Sequence, residues 1–280
     1  MTINIIIPVF NRLLETKNIV SQIRKQICSE DLLILIVNDG STDGTSEWIN
    51  KQKDLKVING NGHLYWAGAI NLGIEYILKK PTKKDWILLI NNDVDIKNNY
   101  VESLLKAAKK YHPAVVGSIV KNKDNKTISL GPKIYPWLFR VDDLINFQYD
   151  KESEVIKDVD ALSGRGVIFP LYSLINSKGL RPKLIPHYFA DYDLSLRLKK
   201  RGFRLITSLK SVVYTSEDFE ILRENRNKET LIFKLFSKKS SSLIYSKFLF
   251  WWEASNNLQK ICLPLRIILF IIKNGLRKFL

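Results

Sequence analysis

Through the first hundred residues, short apolar runs rich in β-branched side chains alternate with segments of helical periodicity. The runs are INIIIPV (3–9), LLILIVND (32–39), LKVI (55–58) and WILLINND (86–93). The helical segments fall at about 14–26, 43–53, 66–79 and 98–110. Strands that are apolar along their whole length need cover on both faces, and strands joined through helices run parallel. The pattern predicts an α/β fold, a mostly parallel sheet with helices on both faces. A chain of 280 residues can bury such a core and still carry an appendage. Ser41 and Thr42 suit an N-cap after NDG, and Asn98 suits the next one.

In an open parallel sheet, ligands bind beyond the carboxyl ends of the strands, where strand order reverses. Four polar clusters stand at such ends: PVFNR (8–12), NDGSTDGT (38–45), NGNGHLYWAGAINLG (59–73) and NNDVD (91–95). Four in succession build a rim. The last is the most pointed, because an apolar strand runs straight into Asp93 and Asp95. Carboxylates belong where a cation, a donor or water reaches them. A solvated turn accounts for Asn and Asp at a strand end as well, so this cluster alone leaves both readings open.

After residue 113 the rhythm changes. AVVGSIV (114–120) reads as a strand, and 121–157 as a polar, aromatic insertion or small antiparallel section. VDALSGRGVIFP (159–170) reads as a strand with an interior glycine pair, and a helix starts near DYDLSLRLKKRGFR (191–204). In that helix Leu194 and Leu198 share a face and Gly202 makes the stop. VVYTSED (212–218) closes the folded part.

In order and spacing, PVFNR, NDGSTDGT, NGHLYWAGAINLGI, LLINNDVD, SGRGVIFP and ADYDLSLRLKKRGFR resemble the family-2 glycosyltransferases of the GT-A fold, over about residues 1–216. The resemblance extends to the bacterial rhamnosyltransferase-like enzymes of surface-polysaccharide synthesis. It implies an inverting, metal-dependent transfer of a sugar from a nucleoside diphosphate-sugar to an acceptor hydroxyl. In the family a DxD-like motif holds Mn²⁺ or Mg²⁺, hard cations that take carboxylate oxygens. Here that motif reads Asn91-Asn92-Asp93, which makes Asp93 the metal ligand, with Asp95 a helper or a cap. Asn91 and Asn92 fall on the donor side, Asn91 by the ribose. Asp39 is placed on the base, and Pro8, Val9 and Asn11 line the base pocket mainly through backbone. Trp66, Asn71 and Arg165 complete the donor set. For Asp39 the alternative is an Asx-turn; for Arg165, a solvated charge in a bulge; for Trp66, core packing.

The family's base motif aligns with Ala190-Asp191-Tyr192-Asp193, so Asp191 is the expected catalytic base, with an N-cap as its alternative role. Ala190 departs from the motif, which usually has an acid there. Without that like charge, burial is left to raise the Asp191 pKa. Many relatives also place a metal-binding histidine after a late strand, where this chain has Tyr214-Thr215-Ser216-Glu217-Asp218.

Charge separates the chain into two parts. The formal charge is +16, and residues 221–280 hold 12 Lys and Arg against 3 Asp and Glu, an excess of nine. Such an excess calls for an anionic partner. The run 243–280 interleaves apolar and aromatic residues with Lys247, Lys260, Arg266, Lys273, Arg277 and Lys278. Trp251 and Trp252 read as interfacial anchors of a basic amphipathic pair of helices on an anionic membrane surface. The alternative is a helical hairpin packed on its own domain or on a second subunit. The reading is a catalytic domain at 1–218 and a helical segment at 219–280. The stretch 261–272, broken by Pro264 and Arg266, is too short for a span. The start lacks a leader, and Cys28 and Cys262 lack metal or disulfide spacing. These features place the protein in the cytoplasm, peripheral at the inner face of the cell membrane, facing a lipid-linked glycan acceptor. A recognisable nucleic-acid module is missing. Three other classes fit less well. A haloacid dehalogenase-type phosphatase would carry its aspartates after the first strand. A sugar nucleotidyltransferase would want a glycine-rich loop there. A nucleotide-sugar-binding pseudoenzyme draws on Ala190 and the missing histidine.

Overall fold

A computed structural model describes residues 1–81, 84–145, 153–157, 159–177, 179–216, 230–238, 240 and 243–276. Its first half alternates β1 (Thr2–Val9), α1 (Leu13–Arg24), β2 (Asp31–Asn38), α2 (Thr45–Asn50), β3 (Leu55–Asn59), α3 (Tyr65–Leu78) and β4 (Trp86–Leu89). Then come β5 (Val94–Ile96), α4 (Tyr100–Lys110), β6 (Ala114–Asn122) and β7 (Thr127–Ser129). A hairpin of β8 (Pro132–Tyr135) and β9 (Arg140–Asp143) follows. The domain continues through β10 (Val155–Lys157), β11 (Val167–Pro170), α5 (Leu171–Ser177), α6 (Ala190–Lys199) and β12 (Arg204–Thr215). Three further helices are α7 (Leu231–Phe236), α8 (Ile244–Ala254) and α9 (Asn257–Leu276).

The strand alternation sorts the core into two halves. Ile3, Ile5, Ile7, Ile34, Ile36 and Leu88 meet α1 and α4 through Ile19, Val20, Ile23, Val101 and Leu104. Their neighbours Ile6, Leu35, Val37, Ile87 and Leu89 meet α3, α5 and α6 through Ile70, Ile74, Leu174, Leu194 and Leu198. Successive side chains point to opposite faces, so continuous apolar runs fill both. The main sheet runs β10-β12-β6-β11-β4-β1-β2-β3. Neighbours from β4 to β3 are parallel, while β11 runs antiparallel between β4 and β6. The order reverses at β1, flanked by β2 and β4. That reversal opens a crevice at the carboxyl ends of β1 and β4.

Several elements differ from the sequence reading. The run 86–93 ends as a strand at Leu89, and Asp93 lies in a turn before β5, which pairs antiparallel with β12. Of 159–170, only Val167–Pro170 is strand, because the glycine-containing stretch before it opens into a loop. The N-cap of α2 is Gly44, φ 90°, rather than Ser41 or Thr42, and that of α4 is Asn99 rather than Asn98. Asp43 takes the capping work at α2, accepting from the Thr45 N–H at 3.1 Å and, through its other oxygen, from the Leu13 N–H at 2.9 Å.

The C-terminal helices dock on the domain. Phe250 and Trp251 of α8 are buried with Leu196, Leu263 and Ile267 against Phe139, Val141 and Tyr192. Trp251 is only 6% exposed, so its reading as an interfacial anchor does not hold; Trp252, at 39%, stays at the surface. No helix among the described residues is long and apolar enough to cross a membrane.

Candidate active site

The crevice between β1 and β4 is bridged by charge. Asn11 and Arg12, just past β1, take left-handed φ values of 58° and 67°. Asn11 is held there twice: its N–H donates to Ser41 Oγ at 2.8 Å, and its Oδ1 accepts from the Thr42 N–H at 2.9 Å. Non-glycine residues in this conformation are strained and persist where surrounding bonds over-determine them. The turn aims Arg12 across the crevice, where Nη1 donates to Asp93 Oδ2 at 2.7 Å. The other carboxylate oxygen, Asp93 Oδ1, is buried and has no hydrogen-bond partner among the described residues.

On the far side of the rim, Asp39 is buried and ties two loops together. Its Oδ1 accepts from the Gly62 N–H and its Oδ2 from the Leu64 N–H, both at 2.8 Å. This is a cross-loop clamp, not an Asx-turn. The Asp39 N–H donates to the Val9 carbonyl at 2.8 Å. Asn38 fixes the same turn, accepting from the Ser41 N–H and donating to Ser46 Oγ. Pro8 and Val9 stand in register with Val37 and Asn38 at the end of the β1–β2 pair.

A chain of contacts joins this rim to Asp191. Asn91 Oδ1 accepts from Trp66 Nε1 at 2.9 Å. The Trp66 ring lies so close to Gly164 that a Cβ there would collide with it. The Gly164 N–H donates to Asp191 Oδ2 at 2.9 Å, and Asp191 Oδ1 accepts from the Tyr192 N–H. Asp191 sits in the first turn of α6, whose N-cap is Phe189 at φ 68°. Burial pushes the Asp191 pKa up, opposed by the two N–H groups and by the Arg165 guanidinium nearby. Asp193, two residues further along the same turn and fully buried, accepts from Arg181 and from Arg197 Nε at 3.0 Å. Arg181 and Lys200 reach Glu253 of α8 at 3.1 and 2.9 Å, which pins α6 to the C-terminal helices.

Residues 4–161, more than half of the chain, match the family described as Glycosyl transferase family 2. The chain belongs to glycosyl transferase family 2. A crystal structure of GalNAc-T7 with UDP, GalNAc and Mn²⁺ is similar at a TM-score of 0.60 and 13% identity, covering 76% of this chain and 43% of that one. S. aureus TarS 1–349 in complex with UDP gives 0.57 at 15%, covering 90% of this chain and 70% of that one. Its complex with UDP-GlcNAc gives 0.55 at 16%, covering 78% and 59%. At such identities the likeness establishes the GT-A fold. The chain spans less than half the length of GalNAc-T7 and of the longer TarS chain.

Within this family member, the residues expected at the site divide into two groups. Asp93, Asn91, Trp66, Arg165 and Asp191 belong to the linked set, and Asp39, Asn11, Pro8 and Val9 to the opposite wall. Three others face elsewhere. Asn92 is buried and donates to Thr16 Oγ1 of α1 at 3.1 Å. Asn71 donates to Glu75 Oε1 and accepts from the Leu180 N–H, which ties α3 to the loop after α5. Asp95 Oδ1 accepts from Asn18 Nδ2 at 2.6 Å and Gln22 Nε2 at 2.7 Å, on the α1 side. The metal reading therefore rests on Asp93. Its buried, unbonded Oδ1 suits a hard cation, and no group of three or more His, Cys, Asp or Glu gathers for one among the described residues. In place of the histidine, Tyr214 and Thr215 of β12 stand in register with Asp95 and Val94. Glu217 and Asp218 lie outside the described residues.

Sequence reasoning passed over Arg12, although its place at the end of PVFNR, beyond a strand terminus, was the signal. It also passed over the buried hydroxyl pair that seats the glycine loop. Tyr100 Oη and Ser118 Oγ lie 2.7 Å apart, and Ser118 Oγ donates to the Gly166 carbonyl at 2.8 Å. Gly166 has φ 97° and lies against both hydroxyls, so only glycine fits.

Proposed function

We propose that this chain is an inverting glycosyltransferase that moves a sugar from a nucleoside diphosphate-sugar to the hydroxyl of a lipid-linked glycan at the membrane. The observation that carries the reading is the contact chain Asn91–Trp66–Gly164–Asp191, which starts two residues before Asp93. It joins the diphosphate end of the family site to the only carboxylate that aligns with the family's base.

In the reaction the acceptor oxygen attacks the anomeric carbon as the bond from that carbon to the diphosphate oxygen breaks. The acceptor proton passes to Asp191, and the electron pair leaves with the nucleoside diphosphate. Asp191 is suited to receive it: burial raises its proton affinity, and the Gly164 N–H fixes its orientation. Asp39 and the turn around Asn11 form the wall for the base. The Arg12 guanidinium stands beside Asp93 and presents positive charge where the leaving oxygens gain negative charge. A Mn²⁺ or Mg²⁺ held by Asp93 Oδ1 would supply further charge to the diphosphate.

Membrane placement is part of the same proposal, with residues 1–218 as the catalytic unit and 219–280 as the attachment. Its support is the outer face of α9, where Leu258, Ile261, Leu265, Ile268, Leu269 and Ile272 are exposed in one stripe. Residues 254–280 contain five Lys and Arg and no acid. Such a face suits an anionic bilayer surface. Surface-polysaccharide synthesis at the inner face of a bacterial membrane is the setting this acceptor chemistry suggests.

The test is transfer and donor hydrolysis with UDP-, dTDP- and GDP-sugars in the presence of Mn²⁺, repeated on Asp191→Asn. Asn keeps the size and the bond from Gly164 but cannot take the proton. Nucleoside diphosphate affinity should stay near wild type while turnover falls about 10²–10⁴-fold. Retained turnover would end the catalytic role of Asp191, and binding without any turnover of wild type would favour a pseudoenzyme.

A further inference from the structure

Asp93 already has a cation beside it, and that cation is a side chain. Arg12 Nη1 donates to Asp93 Oδ2 at 2.7 Å, with the guanidinium half-exposed and the carboxylate nearly covered. None of the other guanidinium N–H groups of Arg12 is bonded among the described residues. The backbone beneath it is pinned to the neighbouring loop. Asn11 is bonded to Ser41 and Thr42, and the Leu13 N–H donates to Asp43 Oδ2 at 2.9 Å. Motion of the guanidinium therefore falls on the rotatable bonds of its own side chain, and a single bond to Asp93 restrains it.

Charge decides what this arrangement can capture. The formal charges of Arg12 and Asp93 cancel, so the pair by itself attracts a divalent cation weakly, and such an ion gives up its water reluctantly. The neighbouring carboxylates do not help. Asp39 commits both oxygens to the Gly62 and Leu64 N–H groups, and Asp95 accepts from Asn18 and Gln22 on the α1 side. A guanidinium and a divalent cation on one carboxylate would also repel each other. Yet Asp93 Oδ1 is buried without a hydrogen-bond partner among the described residues, the mark of an incomplete site. A nucleoside diphosphate resolves the conflict. Its phosphate oxygens offer the guanidinium a bidentate partner with more negative charge than one carboxylate oxygen. They also supply the negative charge that a cation beside Asp93 needs.

We propose that Arg12 is a positioning residue that couples the donor diphosphate to the divalent cation. It keeps Asp93 neutralised until a diphosphate draws the guanidinium across, so the cation is taken up together with the donor rather than before it. The inference rests on the glycosyltransferase reading and adds to it the order of entry and the residue that sets it. Because Arg12 brings its own charge to the diphosphate, part of the nucleotide affinity is independent of metal.

The experiment is a pair of titrations on the full chain: Mn²⁺ without nucleotide, read by the paramagnetic resonance signal of the free ion, and UDP in EDTA, read by calorimetry. Wild type is compared with Arg12→Gln and Arg12→Lys. Arg12→Gln should bind Mn²⁺ alone about tenfold more tightly and UDP alone about tenfold more weakly, because it frees Asp93 and removes the diphosphate's partner. Arg12→Lys keeps the charge without the fork, so it should hold Mn²⁺ affinity near wild type and recover part of the UDP affinity. Opposite signs for the two ligands are the signature. Weakening of both in Arg12→Gln would mean that the substitution merely loosened the turn, and would overturn the proposal. So would an Mn²⁺ affinity equal in wild type and Arg12→Gln, or an equal UDP affinity. A third titration, UDP with Mn²⁺ present, keeps the two readings apart. Wild type that binds UDP there, with values unchanged by the substitutions in all three titrations, removes the role of Arg12 alone. Wild type that binds no UDP in either condition strikes the glycosyltransferase reading itself.

Discussion

Asp93 divides its two oxygens between different tasks. Oδ2 is engaged by Arg12 across the crevice, and Oδ1 is buried with no hydrogen-bond partner among the described residues. Because Arg12 is half-exposed, its ion pair adds about 1 kcal/mol of stability at most. Asp93→Asn should therefore leave the melting temperature nearly unchanged while abolishing the extra stabilisation that Mn²⁺ gives to the UDP-bound protein. A thermal-shift titration of UDP with and without Mn²⁺ checks this, and an unaltered Mn²⁺ response would remove Asp93 as the ligand. Asp191 makes a second prediction through its raised pKa. As a base it works ionised, so transfer should rise with pH through a value above the ordinary aspartate range. For stability the sign is opposite. The folded state favours neutral Asp191, so that contribution is complete below the unfolded pKa and is lost as pH rises through the folded one. Melting curves over that window should fall with pH in wild type and be flatter in Asp191→Asn.

At the scale of elements, α6 carries the base and is fixed from below and from the side. Asp193 pairs with Arg181 and Arg197 in the interior, and Arg197 also donates to the carbonyls of Ser177 and Gly179 at 2.7 Å. Removing the acid takes the ion-pair partner from Arg197 and leaves Arg181 with Glu253. Asp193→Ala should cost about 3–5 kcal/mol in urea unfolding, in the range of a broken buried pair. A loss below 1 kcal/mol would mean that water reaches the network. The sequence marked this helix well: Leu194 and Leu198 are buried and Gly202, at φ 87°, follows the stop. It did not mark Asp193, whose spacing suits a solvated first-turn acid equally well. The stretch 159–170 misled for a related reason. Its composition is that of a strand, but Gly164 must pass the Trp66 ring and Gly166 the Tyr100 and Ser118 hydroxyls. Those partners lie far away in the chain.

Over the whole molecule, the C-terminal helices are divided between two faces. Their inner face covers α6 through Phe250, Trp251, Leu263 and Ile267, and their outer face carries the exposed stripe on α9. Cutting the chain at residue 243 would thus uncover Leu196 and Phe189 and confound any binding test. Surface substitution is the better probe. Ile261→Gln, Leu265→Gln and Ile268→Gln together should reduce flotation with anionic vesicles several-fold and leave UDP affinity unchanged. Added salt should weaken wild-type flotation through screening of the basic residues. Flotation of the triple variant equal to wild type would detach the stripe from membrane binding. The sequence by itself determined the α/β class, the rim of polar strand ends, the family and the concentration of positive charge in the tail. Each of these is written in local spacing, because strand burial and helix periodicity repeat over a few residues. Only the tertiary structure decided that Arg12 faces Asp93, that Asp95 and Asn71 turn away, and that Trp251 belongs to a core. These depend on contacts between residues tens to more than a hundred positions apart, and local pattern has no information about which distant surface a side chain will meet.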